Sequence, residues 1–101
     1  MVTYPAQGDI ITIDGIEHRL LVISNQLFNN AGGVIVCPIV KKETEGPLHI
    51  SVNTNIVNGI ALCEQLRFFL LKKRSFRIWG SLSLYQLMDI SDAVQGIFEY
   101  I

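Results

Sequence analysis

Gly8-Asp9-Ile10-Ile11-Thr12-Ile13-Asp14-Gly15-Ile16-Glu17-His18-Arg19-Leu20-Leu21-Val22-Ile23-Ser24-Asn25 is the stretch whose reading decides the fold. Gly8 to Ile13 alternates well enough for a strand, and Asp14-Gly15 is a strong tight-turn signal. Glu17 to Ser24 reads as the second strand, and its run Leu20-Leu21-Val22-Ile23 predicts burial on both faces. A single arginine, Arg19, stands at the mouth of that strand. A guanidinium is almost never buried unpaired. Arg19 is therefore either a strand-end charge, solvated or paired with Glu17 or Asp14, or a group aimed at an anion.

Downstream, Ser24-Asn25-Gln26-Leu27-Phe28 predicts a short helix with Ser24 or Asn25 as N-cap, ended by the turn Asn29-Asn30-Ala31-Gly32-Gly33. Val34 to Val40 predicts a central strand in which Pro38 marks a bulge or an edge. Lys41 to Pro47 is a polar loop, His49 to Val52 a short strand, and Asn53-Thr54-Asn55 a turn. Gly59 to Leu66 is strand-like with Glu64-Gln65 at its polar end, and Phe68 to Leu71 continues apolar. Lys72 to Arg77 is a basic connection, and Ile78 to Leu82 one more strand. Ser83 opens the only long helix, with Gln86 completing a capping box. Leu87, Ile90, Val94, Ile97 and Ile101 form its core stripe. Gly96 inside that helix predicts close packing or a frayed last turn. The expected architecture is one domain, 1–101, mainly β with α+β character. It is a small SH3-like antiparallel barrel of about five to seven strands with a short helix and a C-terminal helix.

Half of the 101 residues are hydrophobic and 17% are charged, an apolar balance that a partner surface would relieve. A net charge of -1 excludes a whole-molecule basic field, so any nucleic-acid site must be a local patch. Lys41, Lys42, Arg67, Lys72, Lys73, Arg74 and Arg77 are the candidates for it. Phe76 and Trp79 lie among them and are able to stack on bases. The alternative, preferred for Trp79, is packing in the core or a dimer interface. Met1-Val2-Thr3-Tyr4-Pro5 has no charged n-region or long apolar run, so neither a signal peptide nor a membrane span is expected, and the cytoplasm is the expected location. Cys37 and Cys63 sit in apolar runs outside any CxxC pair and are expected to be buried, reduced thiols. His18 and His49 are far apart, and neither a metal cluster nor a cofactor is expected.

Seven segments, taken in order, resemble the MazF/PemK family of toxin endoribonucleases. Gly8-Asp9-Ile10-Ile11 is similar to the family's opening strand, with Thr12 where an aromatic is usual. His18-Arg19 with Leu21-Val22-Ile23-Ser24-Asn25, then Leu27-Phe28-Asn29-Asn30, resemble its arginine segment and short helix. Val34-Ile35-Val36-Cys37-Pro38-Ile39 and Pro47-Leu48-His49-Ile50-Ser51-Val52 resemble two further strands. Gly59-Ile60-Ala61-Leu62-Cys63-Glu64-Gln65-Leu66-Arg67 is the most specific piece, and Gly80-Ser81-Leu82 before the helix completes the set.

The resemblance implies a toxin of a toxin–antitoxin pair that cleaves single-stranded RNA without metal, the RNA's own 2′-hydroxyl acting as nucleophile. It implies Arg19 as the catalytic arginine, Glu64 at an acidic position held in some relatives to be the general base, and His18 beside Arg19 as an acid or phosphate donor. For Glu64 the structural alternative is pairing with Arg19 or Arg67. A homodimer, a small acidic antitoxin covering the groove, and DNA contact only through that antitoxin are also implied. Relatives carry a threonine where this chain has Val40, a proline where it has Leu20, and a longer loop in place of Asp14 to His18. Loss of the threonine hydroxyl admits a weakened, binding-only relative. It also admits a gyrase poison like the CcdB branch of the fold, which would put weight on Phe98-Glu99-Tyr100-Ile101.

Overall fold

Strand pairing is antiparallel throughout the computed structural model, which describes residues 3–99. The elements in chain order are β1 (Asp9–Ile13), β2 (Arg19–Val22), α1 (Gln26–Asn29), β3 (Gly33–Val40), β4 (His49–Asn53), β5 (Asn58–Leu62), β6 (Arg67–Leu70), β7 (Phe76–Ser81) and α2 (Leu84–Phe98), with a 3-10 turn at Leu71–Lys73. They form one seven-stranded sheet ordered β4-β5-β3-β2-β1-β7, with β6 paired to β3 off that path. No helix among the described residues is long and apolar enough to cross a membrane.

Alternation along the strands divides the core in two. Ile10, Leu21, Cys37, Ile39 and Ala61 point to one face and meet Leu82 and Ile90, with Val94 from α2 packed against them. Ile11, Ile13, Leu20, Val22, Val34 and Val36 point to the other and meet Phe69 and Leu71. The run Leu20-Leu21-Val22 is thus buried on both faces, as its composition predicts.

The hairpin closes at Asp14-Gly15, where Gly15 takes a positive φ of 87° that a side chain would resist. β2 is shorter than the predicted Glu17–Ser24, because Glu17 and His18 stay outside the ladder. Ile16 turns inward onto the second core, pinning the β1–β2 loop against the body. Asn25 caps α1 by accepting from Phe28 N at 2.9 Å. Asn29 is the buried polar side chain of this region, donating to Pro5 O at 2.8 Å and Ser24 O at 3.0 Å.

Pro38 does not interrupt its strand, contrary to expectation: β3 runs unbroken from Gly33 to Val40. The reason is a change of partner on one flank. β6 pairs with β3 up to Val36 and β5 takes over at Ile39, so the residue without an N–H falls in the gap. The apolar run Gly59–Leu66 also divides. A turn at Cys63-Glu64, closed by Gln65 N donating to Leu62 O at 3.0 Å, sends the chain back as β6 along the first half of β3.

Cys37 and Cys63 are free and buried, and the β3–β5 register carried two steps on sets them opposite each other. The Cys63 thiol and burial push the Cys37 thiol far up, which makes it unreactive. Ser83 caps α2, accepting from Gln86 N at 3.3 Å. Among the described residues nothing lies within 4 Å of a Cβ placed at Gly96, so close packing against them does not explain it. Ile101 of the core stripe, like Tyr100, lies outside the described residues.

Candidate functional site

Arg19 opens β2 directly across from Ile39, and the β1–β2 register carried one step on brings Thr12 to its other side. Thr12 in turn pairs with Arg77 of β7. One cross-strand row therefore reads Arg77, Thr12, Arg19, Ile39. β7 carries a bulge at this point: Ile11 pairs with Ile78 and Ile10 with Gly80, leaving Trp79 as the extra residue. Freed from the ladder, Trp79 reaches back to Thr12, its Nε1 donating to Oγ1 at 2.9 Å. The Arg19 Cζ lies 4.9 Å and the Arg77 Cζ 4.1 Å from the Trp79 ring centroid. Trp79 is not core, contrary to that part of the expectation: it is 39% exposed.

Arg19 Nη1 is buried with no hydrogen-bond partner among the described residues. Neither Glu17 nor Asp14 pairs with it, since His49–Glu64 is the salt bridge among those residues. An uncompensated guanidinium in a partly buried position is costly unless an anion answers it. The cleft before it, about 450 Å³, is lined by Glu17, His18, Arg19, Ile39, Val40, Lys41 and Val57. Val40 and Arg19 thus share one wall system. A smaller depression beside it is lined by His18, Gln65 and Arg67 together with Ile16, Leu20, Val36 and Pro38. His18 is the side chain common to both, so a path runs from Lys41 past Arg19 and His18 to Arg67.

Glu64 lines neither of these. It accepts from His49 Nε2 at 2.9 Å, while His49 Nδ1 faces Thr44 O at 3.1 Å. No pairing joins Glu64 to Arg19 or Arg67 among the described residues. Both nitrogens of His49 face acceptors, an arrangement that favours the protonated ring. The Glu64 contact, and then the Thr44 carbonyl, raise the His49 pKa; the His49 contact depresses that of Glu64. With its carbonyl on His49, Thr44 lies outside the Arg19 cleft and does not replace the hydroxyl missing at Val40.

The basic residues divide into two groups rather than forming one patch from Lys72 to Arg77. Arg77 joins Arg19 on Trp79, whereas Arg67 and Arg74 cover Phe69 at 4.7 and 5.2 Å. Lys72 lays its alkyl chain over Gly32, while Lys73 and Lys42 stand exposed. Phe76 stacks on Tyr4 at 6.2 Å against the second core, leaving Trp79 as the aromatic of this stretch beside the cleft. His49, Gln65 and the bulge at Trp79 are features of the site region that spacing in the sequence does not announce. Among the described residues no group of three or more His, Cys, Asp and Glu is placed to hold a metal.

No curated protein matches the chain in sequence. Solved structures match it in fold. MazE–MazF from Deinococcus radiodurans superposes with a TM-score of 0.84 at 16% identity, over 94% of this chain and 96% of that one. An endoribonuclease from a Mycobacterial species gives a TM-score of 0.83 at 13% identity, over 97% and 94%. An endoribonuclease from a Mycobacterial species in complex with its cognate antitoxin gives a TM-score of 0.81 at 14% identity, over 93% and 94%. The family model for PemK-like, MazF-like toxins of type II toxin–antitoxin systems matches residues 6–98, and the chain therefore belongs to that family.

Proposed function

We propose that the chain is a metal-independent endoribonuclease that cleaves single-stranded RNA at the Arg19 cleft. The observation that carries this is a guanidinium that, among the described residues, has no carboxylate and one buried nitrogen without a partner, at a cleft shared with His18 and Lys41. A planar, permanently charged fork in that state is suited to a phosphodiester. In the reaction the 2′-oxygen loses its proton and bonds to phosphorus. The bond from phosphorus to the 5′-oxygen breaks, and that oxygen takes a proton. The products are a 2′,3′-cyclic phosphate and a 5′-hydroxyl. Arg19 and Lys41 neutralise the charge gathered on the phosphorane oxygens. His18, the imidazole lining the cleft, is assigned the proton transfer. Glu64 is assigned to holding His49 and the β3–β4 loop.

The chain acts in the cytoplasm as a homodimer. The exposed apolar side chains Leu27, Phe28, Phe68 and Leu70 supply surface for association. Its regulator is a small acidic antitoxin that occupies the Arg19 cleft and excludes RNA. The relatives solved with MazE or a cognate antitoxin support this partner class. DNA is touched only through that antitoxin. Val40, lining the cleft without a hydroxyl, favours a slow enzyme as the second reading, one that binds RNA more readily than it cuts it. The test is incubation of the purified chain with a long RNA in EDTA, followed by mapping of ends. Cyclic-phosphate ends that disappear with Arg19→Ala are expected. Cleavage that survives Arg19→Ala, or that requires a metal, would overturn the assignment.

A further inference from the structure

Among the described residues Arg19 is held by an aromatic ring and not by a carboxylate. Stacking on Trp79 consumes none of the guanidinium's N–H donors and leaves its charge intact. The ring is itself fixed at two points, by the bulge in β7 and by the hydrogen bond from Nε1 to Thr12 Oγ1. The same ring carries Arg77, so the two guanidinium carbons lie within about 9 Å of each other, the most that their distances of 4.9 and 4.1 Å to one centroid allow. Two like charges this close, with no carboxylate paired to either among the described residues, repel each other at modest effective dielectric. Two neighbouring anionic groups on one ligand relieve that repulsion, and successive phosphates of a nucleic-acid strand are such groups.

We infer that Trp79 is a positioning residue that holds Arg19 and Arg77 as a two-point clamp for consecutive phosphates of one RNA strand. Arg19 takes the phosphate to be cleaved and Arg77 its neighbour. This rests on the reading of Arg19 as a phosphate-binding group, and it adds a second phosphate subsite with a device that sets its spacing.

Trp79 is the only tryptophan in the chain, so its emission reports on this cluster directly. The experiment titrates the full chain with a single-stranded 2′-O-methyl RNA oligonucleotide, which lacks the nucleophilic 2′-hydroxyl and is not cleaved. Tryptophan emission and the anisotropy of a labelled strand are both followed, at several salt concentrations. Wild type is expected to bind with saturable change in Trp79 emission. Trp79→Leu is expected to bind about three- to thirtyfold more weakly, the loss of cation–π support for the guanidiniums. Arg77→Ala is expected to reduce the salt slope by about 0.7, one phosphate contact on a single strand. Trp79→Tyr keeps a π face and is expected to recover most of the affinity, which a general packing defect would not allow. If wild type fails to bind the strand, the RNA reading falls and this inference with it. If Arg19→Ala weakens binding while Trp79→Leu and Arg77→Ala bind as wild type, the clamp is overturned and the RNA reading stands. If Trp79→Leu does not fold, the wild-type titration decides: unmoved Trp79 emission at saturation overturns the clamp.

Discussion

Val40→Thr is expected to make the chain a faster ribonuclease. Val40 ends β3 next to Ile39, the residue directly opposite Arg19, and its side chain lines the same cleft. Threonine has the shape of valine, so the strand and the packing around it are retained. The exchange turns one half-buried methyl into a hydroxyl beside an open cleft, a stability cost of no more than about 1 kcal/mol. The gain lies in the transition state. One preorganised donor to a developing oxyanion is worth about a hundredfold in rate, or about 2.7 kcal/mol. Because that hydrogen bond strengthens only as charge builds, kcat should rise by about that factor with KM little changed. Single-turnover cleavage of a short RNA, with thermal melts of both proteins, separates rate from stability. Val40→Ala, which adds no hydroxyl, serves as control and should show no gain. A correctly folded Val40→Thr with unchanged kcat would refute the placement of the scissile phosphate at this wall of the cleft.

The His49–Glu64 contact should depend on pH at both ends. His49 is raised, so its contribution is full below the ordinary histidine range and is lost as pH rises through the raised value. Glu64 is depressed, so its contribution is full above the ordinary carboxylate range and is lost as pH falls through the lowered value. NMR titration of the His49 ring should show the raised value, and Glu64→Gln should bring it back down. Asn29→Ala should cost about 2–3 kcal/mol in urea unfolding, because it strips partners from the buried Pro5 carbonyl and the part-buried Ser24 carbonyl. Gly96→Ala should stabilise by about 0.5–1 kcal/mol, since an added Cβ there meets nothing within 4 Å; a loss of stability would show that Gly96 is packed.

The hairpin, both helix caps and the two-faced burial of β2 were legible because each rests on local chemistry. Asp14-Gly15 fits its turn, Asn25 and Ser83 present oxygens to Phe28 and Gln86, and Leu20-Leu21-Val22 has no polar face. What was illegible depends on which strands meet. Pro38 is tolerated only because β5 and β6 share one flank of β3, a division no window around Pro38 contains. The site shows the same limit. Arg19, His18 and Val40 could be placed from motifs and Lys41 from its charge, and the fold brings them to one cleft. Glu64 is met by His49, fifteen positions earlier, and Trp79 reaches Thr12 from sixty-seven positions away through a bulge that adds one residue to β7. Long-range register carries that information, and periodicity along the chain does not.

The central claim is that the Arg19 guanidinium receives the phosphate of an RNA strand. Side-chain NMR of the nitrogen-labelled chain, recorded with and without a non-cleavable 2′-O-methyl RNA strand, reads that contact directly. The Arg19 N–H resonances are predicted to show the largest shifts of any arginine, with Arg77 next and Arg74, which covers Phe69, least. A bound strand that leaves the Arg19 resonances where they were would contradict the account.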